Sequence, residues 1–214
     1  MRTKGGPRGR LARVRIIGGT WRRRWLPVAP VPGLRPSADA QRETLFNWLQ
    51  PLLPGARVLD LFAGTGALGL EAASRGAGSV LLVEKSPVAA EQLEANLRLL
   101  GADGVTVRRA DALRLLAQGP EAADLTAFDI VFVDPPFGKG LTASVLEGLR
   151  GGGWLASGAR VYVEQESGLP APADWEILRE RTGGQAHGML LTVPRDSGSD
   201  GTPESATRLP EGRA

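Results

Sequence analysis

The sequence has no cysteine and only one histidine among its 214 residues. Disulfides and cysteine-ligated zinc are therefore excluded, and a histidine metal site is not expected. No apolar run approaches the roughly 20 residues that a membrane-spanning helix needs, and the N-terminus lacks the apolar segment of a signal peptide. Because a chain without disulfides suits the cytosol, we expect a cytoplasmic monomer with no metal site and no membrane partner.

Acidic residues are also absent from the first part of the chain, up to Asp39. The basic residues of that segment are Arg2, Lys4, Arg8, Arg10, Arg13, Arg15, Arg22, Arg23, Arg24 and Arg35. Such a one-sided distribution of charge is typical of a segment that contacts a polyanion. The alternative is a solvated basic tail without a partner.

The length and the turn-forming residues predict one α/β domain with extensions. We place a disordered basic extension at 1–13, an N-terminal hairpin with a proline-rich connector at 14–36, the α/β domain at 37–195, and a disordered polar tail at 196–214. The hairpin is expected to turn at Gly18-Gly19. Its basic residues suit phosphates and its aromatic rings suit bases, although Trp21 and Trp25 could instead anchor the hairpin to the domain.

Within the domain, apolar runs alternate with helical patterns in the manner of a doubly wound fold. Strands are predicted at 57–62, 79–84, 105–109, 128–133 and 160–164, and helices at 41–53, 67–75, 87–100, 112–117 and 142–149. Segments 175–181 and 188–193 predict a closing antiparallel hairpin. The expected fold is therefore a mostly parallel central sheet with a C-terminal antiparallel hairpin and an N-terminal β-hairpin extension.

A glycine-rich loop follows the first strand of the domain. Gly64 and Gly66 allow a sharp turn and a close approach to a ligand, and the G-x-G-x-x-G spacing fits a dinucleotide as well. Asp60 favours S-adenosylmethionine, because a carboxylate here would repel a pyrophosphate and attract the ammonium group of that cofactor. A bulky residue at Gly66 is expected to abolish cofactor binding without unfolding the domain.

Two further acidic residues close the next strands. Glu84 can accept hydrogen bonds from both ribose hydroxyls of either cofactor, or it is a surface residue. Asp111 can accept from the adenine amino group, or it caps the following helix.

The sequence Asp134-Pro135-Pro136-Phe137 ends a buried strand, at the edge of the sheet where ligands bind in open α/β folds. The prolines fix the direction of the local carbonyl groups. One acidic side chain and one fixed carbonyl can together accept both N–H bonds of an exocyclic amine, and Phe137 can stack on a flipped-out base.

These motifs resemble Rossmann-like methyltransferases that act on exocyclic amines of bases, and the N-terminal half makes the resemblance specific. The segments 15–22, 34–37, 42–47 and 161–164, added to the glycine loop and to 134–137, are similar to the bacterial 16S ribosomal RNA guanine-N2 methyltransferase D family over about 14–193. The resemblance implies a substrate of 16S ribosomal RNA in the small ribosomal subunit or its precursor.

The resemblance also implies roles for particular residues. Those expected to hold S-adenosylmethionine are Asp60, Phe62, Gly64, Thr65, Gly66, Glu84, Lys85, Asp111 and Ala112. Those expected to hold the guanine and direct catalysis are Asp134, Pro135, Pro136 and Phe137. Those expected to bind RNA are Arg15, Trp21, Arg22, Arg23, Arg24 and Arg35.

Three other functions remain open from the sequence. An adenine-N6 methyltransferase on DNA or RNA would use the same tetrapeptide. An NAD-dependent oxidoreductase would fit the glycine spacing, but Asp60 argues against it. A non-catalytic RNA-binding assembly factor would fit the basic segment and leave 134–137 without a purpose.

Overall fold

A seven-stranded sheet forms the centre of the protein in the computed structural model, which describes residues 12–31 and 39–194. The strands of this sheet are β3 (Arg57–Asp60), β4 (Ser79–Glu84), β5 (Val105–Arg109), β6 (Phe128–Val133), β7 (Leu155–Glu166), β8 (Glu176–Gly183) and β9 (Ala186–Thr192). Before them in the chain, β1 (Arg13–Arg15) and β2 (Trp25–Pro27) form a separate two-stranded sheet. The helices are α1 (Asp39–Leu49), α2 (Gly69–Ser74), α3 (Pro87–Leu100), α4 (Ala112–Gln118) and α5 (Thr142–Gly151), with a 3-10 turn at Glu121–Ala123.

The order of the strands in the sheet is β5-β4-β3-β6-β7-β9-β8. The first five run parallel, and β9 and β8 are added antiparallel at one edge. This arrangement confirms the predicted parallel sheet with a closing hairpin. One face of the sheet is covered by α1, α2, α3 and the β1–β2 hairpin, and the other by α4 and α5.

Several predicted boundaries are wrong for identifiable reasons. The first helix ends at Leu49 rather than at 53, because Pro51 already prevents the helix from continuing past the preceding residue. The helix after the glycine loop begins at Gly69 rather than 67, since turns occupy the segment before it. Strand β7 begins at Leu155 instead of 160; a register shift opposite Phe128 and a positive φ at Gly158 hide its period in the sequence.

The N-terminal hairpin exists, and the predicted glycine pair lies where its connecting segment begins to turn. Strands β1 and β2 pair antiparallel. The N–H of Ile16 donates to the carbonyl of Arg24 at 2.9 Å, and within the segment so closed the N–H of Arg22 donates to the carbonyl of Gly19 at 3.2 Å. Gly19 has a φ of 75° and lies against α2, where an added Cβ would stand 1.8 Å from the carbonyl oxygen of Ser74. The glycine pair therefore permits a close contact between the hairpin and α2.

The hairpin shares the core of the domain. Val14, Ile16, Leu26 and Val28 are buried in the same cluster as Phe46 of α1 and residues of the sheet. The predicted extension before residue 12, the second half of the connector from 32, and the tail from 195 lie outside the described residues. In the part of the chain that the structure describes, no helix combines the length and apolar character required to cross a membrane.

Candidate active site

Four carboxylates lie at the carboxyl ends of adjacent strands of the sheet. They are Glu84 on β4, Asp60 on β3, Asp134 after β6 and Glu164 on β7. Asp60 is in register with Phe132, and Phe132 with Tyr162. Since side chains two residues apart share a face of a strand, Asp60, Asp134 and Glu164 line one face at this edge. The edge therefore carries a concentration of carboxyl groups.

The glycine loop connects Asp60 to α2 in the conformation that the sequence predicts. Gly64 and Gly66 have φ values of 51° and 78°, and the Gly66 N–H donates to the carbonyl of Ala63 at 2.6 Å. A Cβ added at Gly66 would lie 2.7 Å from Leu70 and from Leu93. A bulky residue at Gly66 would therefore displace the ends of two leucine side chains and strain the backbone at a positive φ, and the expectation that it leaves the fold intact stays a prediction.

Asp60 is buried beneath the loop, with one carboxylate oxygen satisfied. Its Oδ2 accepts from the backbone N–H of Gly69 at 3.0 Å, while Oδ1 is buried and has no hydrogen-bond partner among the described residues. Burial raises the pKa of Asp60 to about 7, and the charge of Glu84 acts in the same direction. An unpaired buried oxygen favours a donor or cation beside it. Asp60 thus fits the ammonium group that its position suggested.

Glu84 is held at the loop by backbone groups. Its Oε2 accepts from the N–H of Gly64 at 2.9 Å, and its Oε1 from the N–H of Ser86 at 2.6 Å. A carboxylate has about four acceptor positions, so both oxygens retain capacity for further donors. The side chain is therefore oriented toward the crevice rather than free on the surface.

Asp111 caps α4, the alternative that its position after β5 left open. Its Oδ1 accepts from the backbone N–H of Arg114 at 3.2 Å, and its Oδ2 lies 2.9 Å from the Lys85 ammonium. The hydrogen bond from Lys85 lowers the pKa of Asp111 below its usual range. The carboxylate is ionised and fixed, and its contact with a cofactor stays a prediction.

The tetrapeptide after β6 divides between the interior and the surface. Asp134 is partly buried, Pro135 is buried, and Pro136 and Phe137 are exposed, with Phe137 43% accessible. Burial raises the pKa of Asp134 well above its usual range, and the charges of Glu164 and Asp60 add to the effect.

A cavity of about 890 Å³ opens beside this tetrapeptide, with Pro135, Pro136, Phe137, Leu146, Glu164 and Trp175 among its lining residues. The volume is within the range of small-molecule sites. Its walls are largely apolar and include Pro135 but not Asp134, so it offers a surface for a ring beside the prolines of the tetrapeptide.

The residues of the hairpin that were predicted to bind RNA separate into two groups. Arg22, Arg23 and Arg24 are exposed, which suits contact with phosphates. Trp21 packs half-buried against the core, so the anchoring alternative holds for that side chain; Trp25, by contrast, is 54% accessible.

Arg15 has a partner within the protein. Its guanidinium lies 2.6 Å from Asp39 and over the ring of Trp25, 5.6 Å from the centroid. Arg35 lies outside the described residues.

A buried ionic network connects the hairpin to the helix that follows the glycine loop. Glu71 of α2 is fully buried and accepts from the backbone N–H groups of Ile17 and Gly18, both at 2.7 Å. It also pairs with Arg75 at 2.7 Å and lies 3.9 Å from Arg42. The sequence did not indicate this network, because Glu71 reads there only as part of a small-residue helix.

Arg42 of α1 extends the network toward the glycine loop. It is 1% accessible and donates to the carbonyls of Arg15 at 2.9 Å and Ala67 at 3.5 Å, and to Asp39 at 2.6 Å. The signal for this residue was present in the sequence, since an arginine lies on the apolar face of the helix beside Leu45, Phe46 and Leu49.

Comparisons with known proteins agree with this architecture. Residues 14–192 match the family model described as Conserved hypothetical protein 95. Over 175 residues, 80% of this chain, it is 49% identical to the ribosomal RNA small subunit methyltransferase D of Escherichia coli, covering 86% of that protein, and 42% identical to that of Haemophilus influenzae, covering 89%.

The solved structures give the same result for the fold. An Escherichia coli chain described as a candidate methyltransferase, yhhF, superposes with a TM-score of 0.76 at 46% identity, over 85% of this chain and 98% of that one. The fold is the Rossmann-like methyltransferase fold that the sequence predicted. The chain therefore belongs to the Conserved hypothetical protein 95 family, together with the ribosomal RNA small subunit methyltransferase D proteins.

Proposed function

We propose that the protein transfers a methyl group from S-adenosylmethionine to the N2 amine of a guanine in 16S ribosomal RNA. The observation that carries the proposal is the position of Asp134 and the prolines after it, at the end of β6 and next to the glycine loop of β3. The relatives named above as ribosomal RNA small subunit methyltransferases support the RNA class. The small subunit or its precursor is the proposed particle, the cytoplasm the proposed place, and a monomer the proposed active form.

The acidic edge of the sheet fits S-adenosylmethionine. The unpaired Oδ1 of Asp60 would receive the ammonium group, and Glu84 would receive the ribose hydroxyls. The other residues proposed to contact the cofactor are Phe62, Gly64, Thr65, Gly66, Lys85, Asp111 and Ala112. When bound, the cofactor supplies a sulfonium methyl group whose departure leaves a neutral thioether.

The residues after β6 then have to make a poor nucleophile react. The lone pair of the N2 amine is delocalised into the guanine ring, so hydrogen bonds that hold its N–H groups out of the ring plane free that pair for attack. Asp134 and the carbonyl of Pro135 supply these two acceptors, and Phe137 stacks on the ring. As the N–C bond forms and the C–S bond breaks, the amine loses a proton, and Asp134, with its raised pKa, is the group placed to take it.

The test of the function is the identity of the methylated nucleoside. Small ribosomal subunits that lack the modification are incubated with the protein and labelled S-adenosylmethionine, and the RNA is digested to nucleosides. We expect label in N2-methylguanosine of 16S RNA. Label in N6-methyladenosine would replace the proposal by the adenine alternative, which no feature of the described residues favours, and absence of label would remove methyl transfer to this particle.

Neutralising the arginines of the hairpin should weaken RNA binding, because fewer phosphates are then paired with a cation. For Arg22, Arg23 and Arg24 changed together to Gln, the slope of log affinity against log salt should fall by about 0.7 to 0.9 for each phosphate that is no longer neutralised. Filter binding of small subunits at several salt concentrations measures this slope. Arg179→Gln is the control, because Arg179 is an exposed arginine on β8, an edge strand of the central sheet that does not belong to the hairpin. An unchanged slope in the triple variant would mean that the hairpin does not contact phosphate.

Binding of S-adenosylhomocysteine should depend on pH through Asp60. The pKa of this carboxyl is about 7 without ligand, and an ammonium beside Oδ1 favours the ionised form, so binding releases a proton below that pH. Affinity should therefore be greatest above pH 7 and fall by up to about tenfold per pH unit below it.

Calorimetry across this pH range compares the wild type with Asp60→Asn. The comparison separates the titration of Asp60 from that of Glu84 and Asp134, which face the same crevice. The substitution should leave a weaker and flat profile. A flat profile in the wild type would mean that Asp60 does not meet the ammonium.

A further inference from the structure

The four carboxylates at the carboxyl ends of the strands form an acidic row of Glu84, Asp60, Asp134 and Glu164. The proposed mechanism gives a role to every member of this row except Glu164. Val133 of β6 is in register with Val163 of β7, so Asp134 and Glu164 follow side by side on neighbouring parallel strands, which lie about 4.8 Å apart. The residues two positions before them, Phe132 and Tyr162, lie on the same side of the sheet and pack edge to face, with 6.5 Å between their ring centroids. Glu164 therefore stands next to the proposed amine-binding group.

The side chain is held with one oxygen committed and one available. Glu164 is 8% accessible, and the hydroxyl of Tyr162 donates to its Oε2 at 3.0 Å. Among the described residues no donor reaches its Oε1. Glu164 also lines the cavity that Pro135 and Phe137 border, and we expect its second oxygen to be available to a donor bound there.

The surroundings of Glu164 favour its role as a hydrogen-bond acceptor. Burial raises its pKa, but the hydrogen bond from Tyr162 opposes that rise. The pKa of Asp134 has no such opposition, and both Glu164 and Asp60 raise it further. The hydrogen bond from Tyr162 therefore favours the ionised form of Glu164, which accepts hydrogen bonds.

The two candidate bases differ at the atom beside the reactive amine. In guanine the N2 amine is adjacent to N1–H, which is a donor. In adenine the N6 amine is adjacent to N1 without a proton, which is an acceptor. An enzyme that takes a base out of the stack reads this edge by hydrogen bonds, so an acceptor next to the amine site distinguishes the two bases.

We propose that Glu164 selects guanine by accepting the hydrogen bond from N1–H while Asp134 and Pro135 hold the adjacent N2 amine. The assignment rests on the proposed function and adds the residue that sets its base specificity. With adenine in the same place, the lone pair of N1 would face the carboxylate and be repelled. Sites built to bind a donor reject analogues that lack it far more strongly than apolar pockets reject a changed shape.

The test uses 2-aminopurine, which keeps the amine at C2 but has no proton on N1. Small subunits are reconstituted with 16S RNA that carries either guanine or 2-aminopurine at the mapped target position. The wild type should prefer guanine in kcat/KM by at least about a hundredfold, given the penalty for an unmet buried acceptor. In Glu164→Gln the ratio of kcat/KM for guanine RNA to kcat/KM for 2-aminopurine RNA should fall by at least about tenfold, because the amide of glutamine can donate to an unprotonated N1.

Two variants complete the design. Glu166→Gln is the matched control: Glu166 lies on the same strand and lines the same cavity, but accepts from the backbone N–H of Gly138, so the preference should not change. Tyr162→Phe keeps the ring and removes the hydroxyl that fixes Glu164, and it should narrow the preference part of the way. This variant also keeps the test decisive if Glu164→Gln does not fold.

Two results would overturn the assignment: equal use of both RNAs by the wild type, or the same preference in wild type and Glu164→Gln. Either result leaves the proposed function standing if guanine RNA yields N2-methylguanosine. The absence of N2-methylguanosine from guanine RNA with wild-type protein removes the function itself, and with it the role of Glu164.

Discussion

Asp134→Ala should lower methyl transfer by more than about a hundredfold, the range found when one preorganised group that meets developing charge is removed. The side chain supplies a charge-assisted acceptor to the reacting nitrogen, and such hydrogen bonds are about twice as strong as neutral ones. Their strength matters most in the transition state, when the amine gains positive charge. We therefore expect the loss in the single-turnover rate on saturating small subunits, with S-adenosylmethionine affinity within a few-fold of the wild type.

The surroundings of Asp134 make this loss one of catalysis rather than of folding. Burial and the charges of Glu164 and Asp60 already disfavour the ionised side chain, so removing it relieves repulsion within the row. Thermal unfolding of the variant should accordingly be no earlier than that of the wild type. Wild-type rates in Asp134→Ala would exclude this residue from the reaction.

Two milder changes define what Asp134 and its neighbour each contribute. Asp134→Asn keeps an acceptor oxygen and should retain part of the activity. Phe137→Ala should lower the rate by about ten- to a hundredfold, because stacking on one base is worth about 1–3 kcal/mol. Phe137 is exposed at the mouth of the cavity, so its removal should leave the fold unchanged. A larger loss for Phe137→Ala than for Asp134→Ala would reverse the proposed roles.

The sequence predicted those parts of the fold whose signals are local. Strands β4, β5 and β6 and helix α3 have the predicted bounds. Strands β4 and β6 are the apolar runs expected of buried parallel strands, and Ser86, Pro87 and Gly101 mark both ends of the helix. The acidic residues that end β3, β4 and β6 were found for the same reason. Parallel strands in one sheet bring such residues to one edge, so their spacing in the chain was sufficient.

The parts that the sequence did not predict depend on contacts between distant segments. Glu164 is adjacent to Asp134 only through the pairing of β6 with β7, which no local pattern in the sequence indicates. The hairpin glycines predicted a turn, but their contacts with Ser74 and Glu71 in α2 join segments that are distant in the sequence. From the sequence, Trp21 suits stacking on a base and anchoring of the hairpin equally well. Only its packing against the core distinguishes these two interpretations.

Glu71→Ala should reduce the free energy of unfolding by about 3–5 kcal/mol, the cost of breaking a buried ion pair by removing one partner. The substitution breaks the pair of Glu71 with the largely buried Arg75 at 2.7 Å, and among the described residues Arg42 keeps only Asp39 as a partner carboxylate. It also leaves the backbone N–H groups of Ile17 and Gly18 without an acceptor, and each unmet buried donor is costly. Urea denaturation measures the change, with Glu71→Gln expected to lose less because one acceptor oxygen remains.

Hydrogen exchange shows which part of the protein loses stability in Glu71→Ala. Because the amides of Ile17 and Gly18 donate directly to Glu71, they should lose protection first, and the hairpin that presents Arg22–Arg24 should detach from α2 before the sheet opens. Glu94→Ala is the control, since Glu94 pairs with Arg98 at 4.0 Å on the exposed side of α3, where such pairs contribute about 0–1 kcal/mol. Equal losses of stability in the two variants would mean that the network does not hold the hairpin. A larger loss confined to Glu71→Ala, with weaker binding of small subunits, would make the hairpin's attachment to α2 a condition for RNA binding.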